Sequence, residues 1–340
     1  MAEGQNPPYD LIIVGASGFT GKYVVKEALK FLKTPSSPLG SIALAGRNPA
    51  KLTQTLKWAT HLDPPIPIPI LTADTNDVSS VHHLCAQTKI ILNCVGPFRL
   101  YGGQVVAACA EIGTDYLDMW RARAVGQPGR ADPGRGLGGP DPEELGQTLT
   151  TLTENPGGLP GRNESTEHIQ KREAFWSSVK PAHFGVKIGT KSLLGILPIM
   201  TVGVFIGIFG NFAFGRWLLL KFPSVFSLGW FRKKGPSEDE VRSATFKMWF
   251  DGFNDSSLVS QEKPKPNMEI VARVMGPEIG YLTTPISLVQ CALILLNQRD
   301  NLPKGGIFTP GIVFGPMDLE ERLQENGISF DVISKNAISA

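Results

Sequence analysis

Gly15, Gly18 and Gly21 are spaced Gly-x-x-Gly-x-x-Gly within Val14-Gly15-Ala16-Ser17-Gly18-Phe19-Thr20-Gly21, between a short apolar run and an amphipathic stretch. Backbone without Cβ atoms can approach a bulky anion, and the amides at a helix N-terminus turn partial positive charge toward it. That chemistry suits a pyrophosphate. Gly15, Ser17, Gly18, Phe19 and Thr20 are the candidate pyrophosphate contacts, and Gly21 is where helix and strand pack closely. Glycine turns also serve plain strand-to-helix packing, so the spacing gains force only from the strand before it and the helix after it.

A second chemistry sits in Leu44-Ala45-Gly46-Arg47. In dinucleotide sites the end of the second strand meets the adenosine ribose, and an Asp or Glu there accepts from the 2′-hydroxyl. Arg47 stands in that place. Its planar fork of donors suits a 2′-phosphate, which a carboxylate would repel, so NADP is favoured over NAD. The plainer alternative is a solvated arginine at a strand end. Asp74, after the third strand, suits either the adenine side or a helix cap. Asn93, Val95, Gly96 and Pro97 are expected to close over the nicotinamide-side ribose. No residue stands out as a proton donor. Tyr116 and Asp118 end the fifth strand, where such sheets bind ligands, yet both suit structural roles equally well. His183 would need the linker to fold back, and no catalytic residue is assigned. The lack of a Tyr-x-x-x-Lys motif argues against short-chain reductase chemistry.

These residues need a scaffold, and the pattern supplies one. Residues 9–14 read as a buried strand, 19–32 as an amphipathic helix and 41–45 as a second strand. A third strand is expected at 66–71, with a helix to about residue 87. Then come a strand at 89–93, a helix at 101–112 and a strand at 115–118. Alternation of this kind predicts an α/β fold, a Rossmann-like doubly wound parallel sheet, left incomplete after its fifth strand. The nucleotide domain is expected to occupy 1–119.

Residues 121–140 are dominated by Arg, Gly and Pro, and no aromatic stands between Trp120 and Phe175. Such composition cannot bury enough apolar area to offset chain entropy, which predicts a disordered linker over 120–164. A helix is expected at 165–178, within a partial α+β substrate domain over 165–340. Residues 192–215 carry no charge. Pro198 and several glycines, followed by Arg216, Trp217 and Lys221, fit an interfacial membrane hairpin better than a straight span. A buried core segment is the alternative. Further on, strands are expected at 243–253, 268–275 and 328–333, and helices at 282–297 and 318–325. Asp318 is the expected cap of the last helix, and 308–314 reads as extended.

The chain has 340 residues, a hydrophobic fraction of 42% and a formal charge of +2, so nothing global suggests nucleic acid. Cys85, Cys94, Cys109 and Cys291 show neither metal-type spacing nor disulfide density, as expected of reduced thiols in an intracellular protein. His82 and His83 are adjacent and cannot face one ligand, so no metal is expected. The first residues lack a secretory signal.

Three of these motifs, Val14 through Gly21, Leu44 through Arg47 and Leu92-Asn93-Cys94-Val95-Gly96-Pro97-Phe98, together resemble the saccharopine dehydrogenase-like oxidoreductases, plant members in particular. So do Gly215-Arg216-Trp217-Leu218, Met275-Gly276-Pro277-Glu278-Ile279-Gly280-Tyr281 and Gly305-Gly306-Ile307-Phe308. The resemblance implies an NAD(P)-dependent reductase fold and association with a membrane, a lipid droplet or the mitochondrion. It also implies a hydrophobic or other small-molecule substrate, with glycolipid assembly among the activities of bacterial relatives. This chain departs from the family after Asp118. The family continues with Ser-Gly-Glu and a further long stretch, whereas Met119-Trp120-Arg121 leads into the Arg/Gly/Pro tract and the pattern resumes near Gln147. The missing stretch would complete the nucleotide domain and begin the substrate domain. The alternative is therefore a nucleotide-binding protein on a membrane, or an inactive truncated isoform.

Overall fold

The computed structural model describes residues 6–62, 66–118, 196–232, 235–254, 268–303, 305–306, 308 and 310–337. The expected linker at 120–164, the helix at 165–178 and His183 lie outside the described residues. The chain forms two compact units, residues 1–141 with 242–340, and residues 142–241. The elements from 242 onward thus belong to the unit of the parallel sheet, whereas the sequence grouped them with 165–241.

In the first unit, β1 (Tyr9–Val14), β2 (Ile42–Gly46), β3 (Ile70–Thr72), β4 (Thr88–Asn93) and β5 (Asp115–Asp118) form a parallel sheet in the order β3-β2-β1-β4-β5. Leu11, Ile12 and Ile13 are all fully buried, so β1 is covered on both faces, which is why its sequence is continuously apolar. On one face pack α1 (Phe19–Phe31) and α2 (Pro49–Thr60), through Val24, Val25, Ala28, Leu52 and Leu56. On the other pack α3 (Val78–Cys85) and α4 (Phe98–Ile112), through Val81, Leu84, Val105 and Cys109. β3 is shorter than the expected 66–71. Pro67 and Pro69 have no N–H to donate to a ladder, so pairing begins only at Ile70.

Two helices of the second unit, α5 (Ile196–Phe209) and α6 (Ala213–Lys221), form a short hairpin. They approach so closely that a Cβ on Gly215 would lie 2.1 Å from the Phe209 carbonyl oxygen. Phe226 packs edge-on to Phe205 and Phe209, with centroids 5.5 and 5.2 Å apart. Of the α5 side chains only Val202 is buried; Leu197, Met200, Val204, Ile206 and Ile208 are more than half exposed.

A further helix, α7 (Thr284–Gln298), returns to the first unit and lies with α1 and α2 against the sheet. Every residue from Leu288 to Leu295 is buried. Among the described residues, Ile279–Asn301 is the one helical stretch long and apolar enough to cross a membrane, yet 61% of its apolar window is buried within the protein. Its apolar character is that of a core helix. Strands β6 (Thr245–Asn254), β7 (Met268–Pro277) and β8 (Ser329–Ala337) make an antiparallel sheet in that order. Phe246, Val274 and Phe330 on one face meet Ile286 of α7 and Leu323 of α8 (Leu319–Glu325). Paired on the opposite face are Arg273 and Asp331, 3.0 Å apart, with the guanidinium 5.7 Å from the Trp249 ring centre.

Two expectations fail here for local reasons. The segment 308–314 is not extended: Pro310–Phe314 is a helical turn with Val313 and Phe314 buried, and proline is at ease in a first turn because its missing N–H is not needed there. Asp318 precedes α8 but does not cap it through its side chain. Its carboxyl oxygens accept instead from Arg322 Nε at 2.8 Å and Gln298 Nε2 at 3.1 Å.

Candidate nucleotide site

The strand order reverses between β1 and β4, and open α/β sheets bind ligands beyond the carboxyl ends of the strands at such a point. Gly15 leaves β1 with φ +77°, a conformation costly for any residue with a Cβ. Its amide still extends the ladder to the Ala45 carbonyl at 2.9 Å, and Gly18 N–H closes the turn onto the Gly15 carbonyl at 2.9 Å. A Cβ on Gly15 would meet Val95 Cγ2 at 2.7 Å, so the loop after β4 presses directly on the glycine turn. A Cβ on Gly21 would lie 2.3 Å from the Gly15 carbonyl oxygen, which is the close helix-to-strand approach expected of it. Ser17, Gly18 and Phe19 are exposed and Thr20 half-buried.

No side chain caps α1 at Gly18, and no acidic residue stands in its first turn. Nothing in the helix's own sequence competes with an anion for the first-turn amides. The residues present fit a dinucleotide pyrophosphate: a Cβ-free cradle beneath an uncapped helix terminus. Arg47 follows the end of β2, is exposed, and makes no ion pair among the described residues. Asn48 caps α2 from the next position, accepting from Lys51 N–H at 3.1 Å.

Asp74 follows the end of β3. It is not the cap of α3; Asp77 is, accepting from Ser79 N–H at 3.0 Å. Asp74 closes the preceding turn by accepting from the Asn76 backbone N–H at 3.0 Å. On β4, Asn93 is fully buried, and its Oδ1 accepts from Val95 N–H at 3.0 Å. Gly96 and Pro97 are exposed on the rim, joined by a cis peptide bond. The strand ends thus carry Asp74, Arg47, Gly15, Asn93 to Pro97 and Asp118 along one edge of the sheet.

Burial pushes the Cys94 thiol up to about 12, with nearby Asp118 adding to the effect, so it stays protonated and is no nucleophile. No cluster of metal-ligating side chains occurs among the described residues. Sequence reasoning missed an aromatic contact beside the turn. The Phe19 ring meets the Tyr281 ring at 4.7 Å between centroids, and the Tyr23 ring lies 5.9 Å from that of Tyr281. Only the fold brings residue 281 to α1, and no local signal in the sequence marks the pairing.

A parallel sheet of this order, with a glycine turn opening α1 at its switch point, defines a Rossmann-type α/β protein. Residues 11–152 match the saccharopine dehydrogenase NADP binding domain. The chain belongs to the saccharopine dehydrogenase-like oxidoreductases, a family of NAD(P)-dependent oxidoreductases. It is 49% identical to a probable mitochondrial saccharopine dehydrogenase-like oxidoreductase of Arabidopsis thaliana, over 441 aligned positions that span 97% of both chains. It is 31% identical to the saccharopine dehydrogenase-like oxidoreductase of Bos taurus, spanning 98% of this chain and 99% of that one. With a lipid droplet localized protein of Caenorhabditis elegans it shares 26% identity, spanning 96% and 99%. The Arabidopsis alignment has about a hundred positions more than the 340 residues of this chain, so an internal stretch present in that relative is missing here.

Proposed function

We propose that this chain binds NADP(H) along the carboxyl edge of the parallel sheet and prefers NADPH to NADH. The observation that carries this reading is Arg47, exposed and without an ion pair among the described residues, where an NAD site would place a carboxylate. Gly15, Ser17, Gly18, Phe19 and Thr20 hold the pyrophosphate, Asp74 borders the adenine, and Asn93, Val95, Gly96 and Pro97 close over the nicotinamide ribose. When bound, the nicotinamide supplies hydride transfer; the chain's part is to orient it and exclude water. The substrate is hydrophobic and lipid-related, in keeping with the family resemblance to enzymes of glycolipid assembly. Residues 192–222 lie on a lipid surface, at a lipid droplet or mitochondrial membrane. Supporting this are the exposed apolar faces of α5 and α6, the Lys221 ammonium 4.6 Å from the Trp217 ring centre at their edge, and the names of the Arabidopsis and Caenorhabditis relatives.

Titration of the purified chain with NADPH and NADH tests the nucleotide reading. Arg47→Glu should weaken NADPH by about tenfold to a hundredfold, the worth of charged hydrogen bonds to a phosphate, and NADH far less. Equal losses for both would remove Arg47 from the 2′-phosphate. A second reading, nucleotide binding without turnover, is favoured by the internal stretch missing relative to the Arabidopsis relative. NADPH oxidation above background would exclude it.

A further inference from the structure

Tyr116, in the centre of β5, is fully buried, yet it carries a hydroxyl where phenylalanine would fill the same space. A buried hydroxyl costs desolvation unless it is fully hydrogen-bonded. Here it is: the oxygen accepts from Asn93 Nδ2 at 3.1 Å, and the hydroxyl donates to Asp118 Oδ2 at 2.9 Å. Asn93 in turn accepts at Oδ1 from Val95 N–H, 3.0 Å away. The direction of this chain is fixed by chemistry. Turning the Asn93 amide over would set its NH2 against the Val95 N–H, donor against donor. With Oδ1 held toward the Val95 N–H, Nδ2 points at Tyr116, and without the phenol oxygen that buried NH2 loses this acceptor. Burial, with the neighbouring Asp118, holds the phenol far above its ordinary pKa, so it remains a protonated donor at any working pH.

Val95 is the residue that presses on Gly15, and Gly96 and Pro97 follow it on the rim. We infer that Tyr116 is a positioning residue: through Asn93 it sets the loop 94–97 against the glycine turn, and so shapes the nicotinamide-ribose half of the site while leaving the adenosine half alone. The inference rests on the nucleotide reading above. It separates two parts of one ligand, since β1 and β4 stand between the strand that carries Tyr116 and β2, which Arg47 follows.

The test compares NADPH with adenosine 2′,5′-bisphosphate, a fragment that keeps the 2′-phosphate and adenosine but ends before the nicotinamide ribose. Both are titrated against the unsubstituted chain and Tyr116→Phe, with the melting temperature of each. Tyr116→Phe is expected to lose about tenfold in NADPH affinity, the worth of a buried hydrogen bond left half-made, and to hold the bisphosphate within about twofold. Equal weakening of both ligands, or no change in either, would overturn the positioning role while leaving the nucleotide reading intact. If the unsubstituted chain binds neither ligand, the nucleotide reading fails and this inference with it.

Discussion

At the scale of single residues, the site depends on atoms that are missing. Gly15 takes a positive φ and Gly21 leaves room for a carbonyl, so the spacing of the motif reports two distinct requirements. Gly21→Ala would drive a Cβ into the Gly15 carbonyl oxygen and the Ala16 Cα, both backbone atoms that cannot rotate away. The expected cost is about 1–3 kcal/mol, the usual range for overpacking, read as a lower urea midpoint at unchanged slope, together with weaker NADPH binding. An unchanged midpoint would show that α1 can shift without loss. Polar residues were less legible than glycines. Asp74 and Asp318 both stand before helices, and both were open to reading as caps. Each carboxyl instead takes a different local donor, Asn76 in one case and Arg322 in the other. A short acidic side chain has several donors within reach, and spacing alone does not choose between them.

At the scale of elements, α7 holds the parallel sheet to a segment more than a hundred residues later in the chain. Just past its end, Arg299 Nε donates to Asp115 Oδ2 of β5 at 2.7 Å, and Arg299 Nη1 donates to the Pro303 carbonyl at 2.9 Å. Burial pushes the Asp115 carboxyl above its ordinary 3.8, and the Arg299 charge and hydrogen bond oppose that rise. A group raised in the folded state favours folding below its unfolded pKa, and that contribution is lost as pH rises through the folded value. Removing Arg299 raises Asp115 further. Arg299→Met should therefore cost about 2 kcal/mol near neutral pH, discounted for the partial exposure of the arginine, and much less near pH 4. Urea unfolding at the two pH values checks this; a deficit independent of pH would mean that the pair's charge is not what matters. Parallel strands and their helices were legible because each carries its own period and its own turn. The partner of β5 at residue 299 was not, since nothing in either segment names the other.

At the scale of the whole molecule, the same property, an uncharged apolar run, has two different fates. Helix α7 is buried almost all round, while α5 leaves most of its apolar side chains exposed. Among the described residues α5 spans 14 positions, and its exposed apolar side chains motivate the proposed attachment to a lipid surface. Deleting residues 193–209 should move the protein from the membrane or droplet fraction to the soluble fraction. Unchanged fractionation would place the run in a protein core.

Legible in the linear pattern were the order of strands and helices to residue 118, the glycine turn, the arginine after β2 and the family, because these rest on local periodicity and on motifs within single segments. It took the folded chain to show that α7 is core, that Phe19 meets Tyr281, and that Asn93, Tyr116 and Asp118 form one hydrogen-bonded chain. One cause is common to all three. Burial and long-range pairing depend on what lies opposite a residue in space, and a linear pattern records only what lies beside it.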